Sequence, residues 1–176
     1  ARYSRSLERS TECLGPYHWP MAPKKAPAEP RWLTHEQETA WRAVASMVHK
    51  LRWALECQLE RDSELSFIEY HALARLSEEP RHRLRMSDLA VLTNASLSRL
   101  SHLIKRLEST GYVRREPDPR DGRYTIAILT SAGYKKLVAA APAHVGAVRE
   151  LVIDEFTARE LDQLHKLCDR VAARVD

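Results

Sequence analysis

The chain has 176 residues, of which 30% are charged, and its excess of lysine and arginine gives it a net charge of +4. That length suits one compact domain, or one domain with an extension. The sequence has no run of about 18 apolar residues and no secretory signal, which argues against a membrane or secreted protein and favours a soluble cytoplasmic one.

Residues 1–31 are predicted to be a flexible tail. They contain five of the nine prolines and show neither helical nor strand periodicity. Met21 begins a stretch that looks like a natural start. We therefore expect residues 1–20 to come from an upstream start choice, or to be added residues, and to contribute nothing to function.

Residues 32–62 are predicted to form a long N-terminal dimerisation helix. Thr34 and Gln37 fit a capping box, in which each side chain bonds the backbone N–H of the other residue. Apolar residues then recur at spacings of three and four residues to about Arg61. They are Trp41, Val44, Met47, Val48, Leu51, Leu55 and Leu59. A helix of this length rarely packs only within a small domain, which favours a second chain as its partner.

Residues 63–93 are predicted to hold two shorter helices. Ser66 and Glu69 form a second capping box, and the helix that they begin ends before Pro80. A connecting turn or strand follows the proline. Ser87 is then predicted to cap a helix of one or two turns.

The segment from Asn94 to Gly111 has two opposite faces at the helical period of about 100° per residue. The apolar face has Leu97, Leu100, Leu103, Ile104 and Leu107. The polar face has Ser98, Arg99, His102, Lys105 and Arg106. With the short helix before it, this segment makes a helix-turn-helix whose second helix spans residues 96–110 and stops at Gly111 in a left-handed conformation. The alternative is an ordinary solvated surface helix, and the neighbouring residues decide between the two.

A β-hairpin is predicted directly after this helix. YVRRE and RYTIAILT alternate in the manner of strands, and residues 117–122 between them hold two prolines and an Asp-Gly pair. Arg120 and Arg123 lie at the tip, where they can enter a DNA minor groove.

Positive charge is concentrated between residues 81 and 123, which contain ten lysine and arginine residues but only five acidic ones. So localised a basic patch indicates a nucleic-acid binder, although an anionic membrane would also attract it.

Residues 131–176 are predicted to form C-terminal dimerisation helices. Thr130 can cap the first, and Pro142 should kink that helix unless a break lies there. The first apolar stripe, at heptad spacing, is Val138, Ala141, Val145, Val148 and Val152. Thr157 and Glu160 form a third capping box before a second apolar stripe. Its members are Leu161, Leu164, Cys168, Val171 and Val175. The chain's own core accounts for one stripe, and a homodimer with interlocking terminal helices better explains the other.

Catalytic and metal sites are not expected, and neither is a cofactor. Ser98 and His102 share a helical face, but no acidic residue orients the imidazole and nothing resembles an oxyanion hole. The histidines have no HxxxH or HExxH spacing, and the cysteines no CxxC spacing. Cys57 and Cys168 occupy apolar helical stretches and are interpreted as small buried thiols, with redox sensing as the alternative.

The segment SRLSHLIKRLESTGYVRREPDPRDGRYTIAILTSAG resembles the recognition helix and wing of the MarR family of bacterial winged-helix transcriptional regulators. Asp121-x-Arg123 followed by Leu129-Thr130 matches the family's wing signature, and the long terminal helices match its plan over about residues 32–175. The resemblance implies a mainly α fold with a small β-hairpin wing. Its winged helix-turn-helix DNA-binding domain would span residues 63–130, between the N- and C-terminal dimerisation helices.

The resemblance also implies a role for individual residues. The residues that would face bases or nearby phosphates are Ser96, Ser98, Arg99 and His102. Lys105 and Arg106 would assist at the DNA backbone, Arg123 would reach the minor groove, and Asp121 would hold the wing in shape. Family members often bind small aromatic or anionic molecules between the dimer helices and the winged domain. The residues that could line such a crevice here are Trp41, Met47, Trp53, Tyr70 and His71, for which plain core packing is the alternative.

The sequence therefore predicts a homodimeric DNA-binding regulator. Two recognition helices would read a palindromic double-stranded operator at half-sites about 34 Å apart. We expect a repressor whose affinity is lowered by a small molecule. The alternatives are a winged-helix protein-interaction module without DNA binding and a cysteine-based redox-sensing regulator. The cationic side chains of Arg99, Lys105, Arg106 and Arg123 favour DNA over an apolar protein interface.

Overall fold

A computed structural model describes residues 30–175 of the chain, so the predictions made for residues 1–29 lie outside the described part. The elements in chain order are α1 (His35–Ser63), α2 (Phe67–Glu78), β1 (Arg83–Arg85), α3 (Met86–Leu92), α4 (Leu97–Ser109), β2 (Val113–Asp118), β3 (Asp121–Leu129), α5 (Ser131–Leu151), a 3₁₀ turn (Ile153–Glu155) and α6 (Ala158–Ala172). The predicted class, mainly α with a small β wing, is confirmed.

Side-chain caps fix where most of the helices begin. The three predicted capping boxes are present at Thr34, Ser66 and Thr157, and Thr130 caps α5 by accepting a hydrogen bond from the backbone N–H of Gly133. Each cap satisfies a donor that the first helical turn leaves without an intrahelical partner. These local signals were therefore sufficient to place four helix starts.

The start of α3 differs from the prediction that Ser87 caps it. This helix begins at Met86, its N-cap is Arg85, and no side chain caps it. Arg85 pairs with Ile126 in the sheet, so the chain stays extended through Arg85 and turns into the helix directly afterwards. Ser87 consequently lies inside the first turn, where its hydroxyl donates to Oδ1 of Asp88 at 3.0 Å.

The sheet has three antiparallel strands in the order β1-β3-β2. The β2-β3 hairpin is the predicted wing, and its last paired residues, Asp118 and Asp121, flank the tip. The segment after Pro80, which the sequence left open between turn and strand, supplies β1. This strand attaches the base of the wing to the first helix of the helix-turn-helix.

The core lies between the helices of the winged domain and the inner face of the sheet. Its fully buried side chains include Leu59, Leu73, Leu76, Leu89, Leu100, Ile104 and Leu107. Gly133 has to be a glycine, since a Cβ there would overlap the carbonyl oxygen of Tyr112. This close approach packs the start of α5 against the chain that links α4 to the wing.

The terminal helices bury much less than the winged domain does. On α1, Trp41, Val44 and Val48 are exposed, and burial begins only at Leu55. Helix α5 packs against α1. It continues through Pro142, so the break that the sequence left open at this proline does not occur. Helix α6 has no buried residue at all.

The interpretation of both cysteines as buried thiols is wrong for Cys168. Cys168 is exposed and Cys57 is only partly buried. The physical reason is that residues 30–175 bury no residue of α6, so the part of its apolar stripe around Cys168 stays at the surface. No helix among residues 30–175 is long and apolar enough to cross a lipid bilayer.

Candidate nucleic-acid interface

Helix α4 presents a polar face because its apolar side is held inside the winged domain. Leu100, Ile104 and Leu107 are at most 2% exposed. The opposite side carries the exposed residues Ser98, Arg99, His102 and Lys105. We call these four residues the polar face of α4. The periodicity of the sequence predicted each of them.

Ser96 lies at the N-cap of α4 and not within the helix. Its hydroxyl accepts a hydrogen bond from the backbone N–H of Arg99 at 3.2 Å. The turn before it depends on Asn94, whose φ of 52° is left-handed, a conformation that asparagine tolerates better than most residues. This turn directs Ala95 into the core, where it is 2% exposed.

Leu97 departs from its predicted place on the apolar face. It is 55% exposed, although its helical spacing from Leu100 and Ile104 suggested burial. The reason is tertiary, since Leu97 is the first residue of the helix and Ala95 already fills the adjacent interior. An apolar side chain consequently stands beside Ser98 and Arg99 at the beginning of α4.

Arg106 is engaged within the protein. Its guanidinium group makes a two-point hydrogen-bonded ion pair with the carboxylate of Glu69 on α2. The Glu69 side chain is 2% exposed, and it also accepts from the backbone N–H and the hydroxyl of Ser66, at 2.9 and 2.8 Å. We therefore assign Arg106 to holding α4 against α2. The sequence identified Glu69 as a helix cap but gave no signal for this second contact.

Carboxylates accept hydrogen bonds at the wing tip. Asp121 accepts from the backbone N–H of Arg123 at 3.1 Å and pairs with its guanidinium group at 2.7 Å. The Arg123 hydrogen bonds hold the pKa of Asp121 below its usual value. This geometry agrees with the expected role of Asp121 in shaping the wing. The Arg123 side chain is nevertheless 83% exposed and extends from the tip.

A second carboxylate, Asp118, joins the wing to β1. It accepts from the backbone N–H of Arg120 at 2.9 Å and from Nε of Arg85 at 2.7 Å. These bonds, the Arg120 N–H first and Arg85 next, lower the pKa of Asp118. The Arg85 guanidinium carbon also lies 4.6 Å from the ring centroid of Tyr124, within cation–π range. Sequence patterns did not predict the bond between Arg85 and Asp118 because these residues are 33 positions apart in the chain.

The basic patch divides into paired and unpaired cations. Five of its arginines form ion pairs with carboxylates: Arg85, Arg106, Arg114, Arg115 and Arg123. Within residues 30–175, the other five cations of the patch have no such partner: Arg81, Arg83, Arg99, Lys105 and Arg120. Two of these unpaired charges, Arg99 and Lys105, lie on the polar face of α4, and Arg120 lies at the wing tip.

The predicted crevice residues are not brought together in this chain. Trp41, Met47 and Trp53 are exposed on α1, at 61%, 46% and 71%. Tyr70 and His71 instead lie on α2 near α5, and the Tyr70 ring centroid is 4.4 Å from that of His144. Two open surface cavities, of about 260 and 330 Å³, contain none of the five residues.

A buried polar cluster is found where α1, α2 and α5 meet. Nδ1 of His144 donates to Oε1 of Gln58 at 3.0 Å, and both residues are buried. Burial lowers the pKa values of His144 and His71 and raises that of Tyr70, since it disfavours each charged form. No pattern in the sequence indicated Gln58, and His144 was only one of the histidines without metal-binding spacing. No group of three potential metal ligands lies together in the described part of the chain.

Comparison with known proteins extends these observations. The sequence profile of the MarR family matches residues 63–123. The transcriptional regulator HosA of Escherichia coli O111:H- is 31% identical over 112 residues, which cover 63% of this chain and 73% of HosA. The crystal structure of Sco3205, a MarR family transcriptional regulator from Streptomyces coelicolor, in complex with DNA superposes with a TM-score of 0.79. It is 43% identical, over 83% of this chain and 91% of Sco3205. AbsC, a MarR family regulator from the same organism, is 39% identical over 82% of this chain and 97% of AbsC, with a TM-score of 0.78.

Proposed function

Because the chain belongs to the MarR family of transcriptional regulators, we propose that it is a homodimeric repressor that binds a palindromic operator and is released by a small molecule. DNA-binding regulation of transcription, and not catalysis, is the function of this family. The cytoplasm, where bacterial chromosomal DNA lies, is then its place of action.

The polar face of α4 is the observation that carries this proposal. A helix that inserts into the major groove needs hydrogen-bonding and cationic side chains on its outer side and a buried inner side. The exposed Ser98, Arg99 and His102 would contact base edges, with Lys105 on the phosphates. The exposed Arg120 and Arg123 would enter the neighbouring minor groove. Sco3205, which shares this fold, was crystallised with DNA.

A homodimer would cover the apolar surface that one chain leaves open. The exposed side chains are Trp41, Val44, Val48, Val138, Val145, Leu167 and Val171, all on α1, α5 and α6. An amphipathic helix with no buried residue, such as α6, needs a partner to bury its apolar side. Two-fold symmetry would then place two copies of α4 about one turn of DNA apart, roughly 34 Å.

A small aromatic or anionic effector would bind where the terminal helices meet the winged domain. Tyr70 and His71 lie at that junction, and the neutral imidazole of His71 can offer an N–H to a carboxylate or phenolate. Trp41, Met47 and Trp53 would join such a site only if the second chain closes over α1. A molecule bound there would change the distance between the two copies of α4 and so weaken operator binding.

A salt titration of DNA binding tests the central claim and separates it from a winged-helix protein-interaction module. A duplex selected from a random-sequence library by the protein serves as the probe, with fluorescence anisotropy as the readout. The logarithm of the association constant should fall linearly with the logarithm of salt concentration, since phosphate contacts release counterions. A library from which no duplex is selected, or a slope near zero, would contradict DNA recognition.

Repression and release need a separate measurement. A reporter gene placed behind the selected operator should be expressed less when the protein is present. Salicylate, a small aromatic carboxylate, serves as the release probe, and it should raise the Kd of the protein–operator complex. A His71→Ala variant should bind the operator normally but respond less to salicylate. Increased reporter expression would indicate an activator, and an unchanged Kd would contradict release by this ligand class.

A further inference from the structure

Leu97 is a large apolar side chain exposed at the start of the helix that reads DNA. It is 55% exposed, whereas Leu100 and Ile104 on the same helix are completely buried. Ser96 caps the helix directly before it, so Leu97 occupies the first helical position. Ala95, two positions earlier, is 2% exposed and belongs to the core, so the chain passes from the interior to the surface between Ala95 and Leu97.

The surroundings of Leu97 are those of a DNA-reading surface. Ser98 and Arg99, which follow it, are exposed members of the polar face of α4. In helix-turn-helix proteins the N-terminal residues of the recognition helix contact base edges. Leu97 therefore lies where a side chain meets the floor of the major groove.

The chemistry of the groove limits what an apolar side chain can recognise there. Base edges in the major groove offer hydrogen-bond donors and acceptors, and their one apolar group is the C5 methyl of thymine. We propose that Leu97 is a specificity-determining residue that contacts a thymine methyl in each half-site. The inference rests on the proposed function and adds the identity of one operator base to it.

A protein partner is the competing occupant of this surface. Val91 and Leu92, which precede the turn, are also exposed, at 58% and 46%. Leu97 differs from them because it belongs to α4 itself and is followed by Ser98 and Arg99 of the polar face. Because Leu97 directly adjoins the proposed DNA interface, DNA is the favoured partner. Binding of a protein instead is one of the outcomes that the experiment distinguishes.

Replacing thymine by uracil removes the methyl group and leaves every hydrogen-bonding group unchanged. Each thymine of the selected duplex is replaced in turn, and the Kd is measured by fluorescence anisotropy. For the wild-type protein, one position in each half-site should weaken binding about fourfold, the effect of losing one buried methyl group. The Leu97→Ala variant should bind the thymine duplex about fourfold more weakly and show no loss on uracil substitution at that position.

Two further variants control the experiment. Leu97→Met keeps an apolar side chain of similar size and should restore the sensitivity to the methyl group. Val91→Ala removes an equally exposed apolar side chain outside α4 and should leave the uracil profile unchanged. Thermal unfolding of each variant should match the wild type, because Leu97 and Val91 are exposed.

The outcomes separate this inference from the proposed function. If the wild type binds the selected duplex but no thymine position responds to uracil, the Leu97 assignment is wrong while DNA binding stands. Unchanged DNA affinity of Leu97→Ala would also overturn it and would favour a protein partner on Val91, Leu92 and Leu97. A library from which no duplex is selected would instead remove the proposed function and this inference together.

Discussion

Helices α4 and α6 have the same kind of sequence but a different relation to the rest of the chain. Both carry an apolar stripe opposite a charged side. Helix α4 buries its stripe through Leu100, Ile104 and Leu107, whereas α6 buries none of its residues. An amphipathic pattern therefore shows that a helix needs a partner, but it does not identify the partner. For α4 the partner is the winged domain, which leaves the polar face for DNA. For α6, residues 30–175 do not bury the stripe.

The largest expected effect comes from charging the open stripe of α6. Val171→Asp should turn the proposed dimer into a monomer and weaken operator binding about a hundredfold or more, since the link between the two half-site contacts is lost. Sedimentation equilibrium and anisotropy measure the two effects. Arg170→Asp places the same side chain outside the apolar stripe of α6 and should leave the proposed dimer intact. If Val171→Asp also leaves a dimer, α6 does not need a second chain.

The next effect concerns the contact that holds α4 in its own chain. Arg106→Ala leaves the buried Glu69 carboxylate without its cation and should lower the free energy of unfolding by about 2 kcal/mol. Urea unfolding gives this value. In a Glu69→Gln background the same substitution should cost much less, because no buried charge is left unpaired. Equal losses in both backgrounds would show that the ion pair does not hold α4.

Removal of Arg99 tests the polar face directly. Arg99→Ala should weaken operator binding by about 1–3 kcal/mol and relax the preference for the selected sequence over altered ones. The arginine has no ion-pair partner within residues 30–175, so its loss leaves no buried charge and should not change stability. Competition binding against single-base variants of the operator measures the preference. Weaker binding with unchanged discrimination would mean that Arg99 contacts phosphates.

Lys105 and Arg106 are adjacent cations with different expected effects on the salt dependence. Lys105→Ala should weaken binding to all sequences alike and reduce the slope of log K against log salt by about one, the loss of one phosphate contact. Arg106→Gln should leave the slope unchanged, because its guanidinium group is already paired with Glu69. A slope that falls in the Arg106 variant would assign that residue to the DNA backbone after all.

The smallest effect is a pH dependence at the junction of α1, α2 and α5. Burial holds the pKa of His144 below its ordinary value of 6.5, so the unfolded chain takes up a proton at a higher pH than the folded one. The contribution of His144 to the stability of the folded state is complete above about pH 6.5, and it is lost as the pH falls from there through the pKa of the folded protein. The free energy of unfolding should accordingly fall between pH 7.5 and 5.5, and less so in His144→Gln. An identical fall in both proteins would exclude His144 as its source.

Local signals in the sequence were enough for most of the fold. Capping boxes at Thr34, Ser66 and Thr157 placed helix starts, since a cap needs only residues three positions apart. Gly111, with a φ of 77°, stopped α4 where predicted. The turn residues between the strands and the apolar period of α4 likewise predicted the wing and the polar face. Ser87 was misplaced because β1 extends through Arg85 by pairing with a strand more than 40 residues away.

Tertiary structure decided which of the predicted side chains are available. Leu97 is outside because Ala95 fills the interior beside it, and Arg106 is engaged because α2 brings Glu69 against α4. Tyr70 came to lie beside His144, and not beside Trp41, through the packing of α2 on α5. The sequence by itself determined the elements and the charge that they carry, because periodicity and caps act over a few residues. Which charges remain unpaired, and which apolar stripes remain open, depends on contacts between residues far apart in the chain, and only the folded structure fixes those.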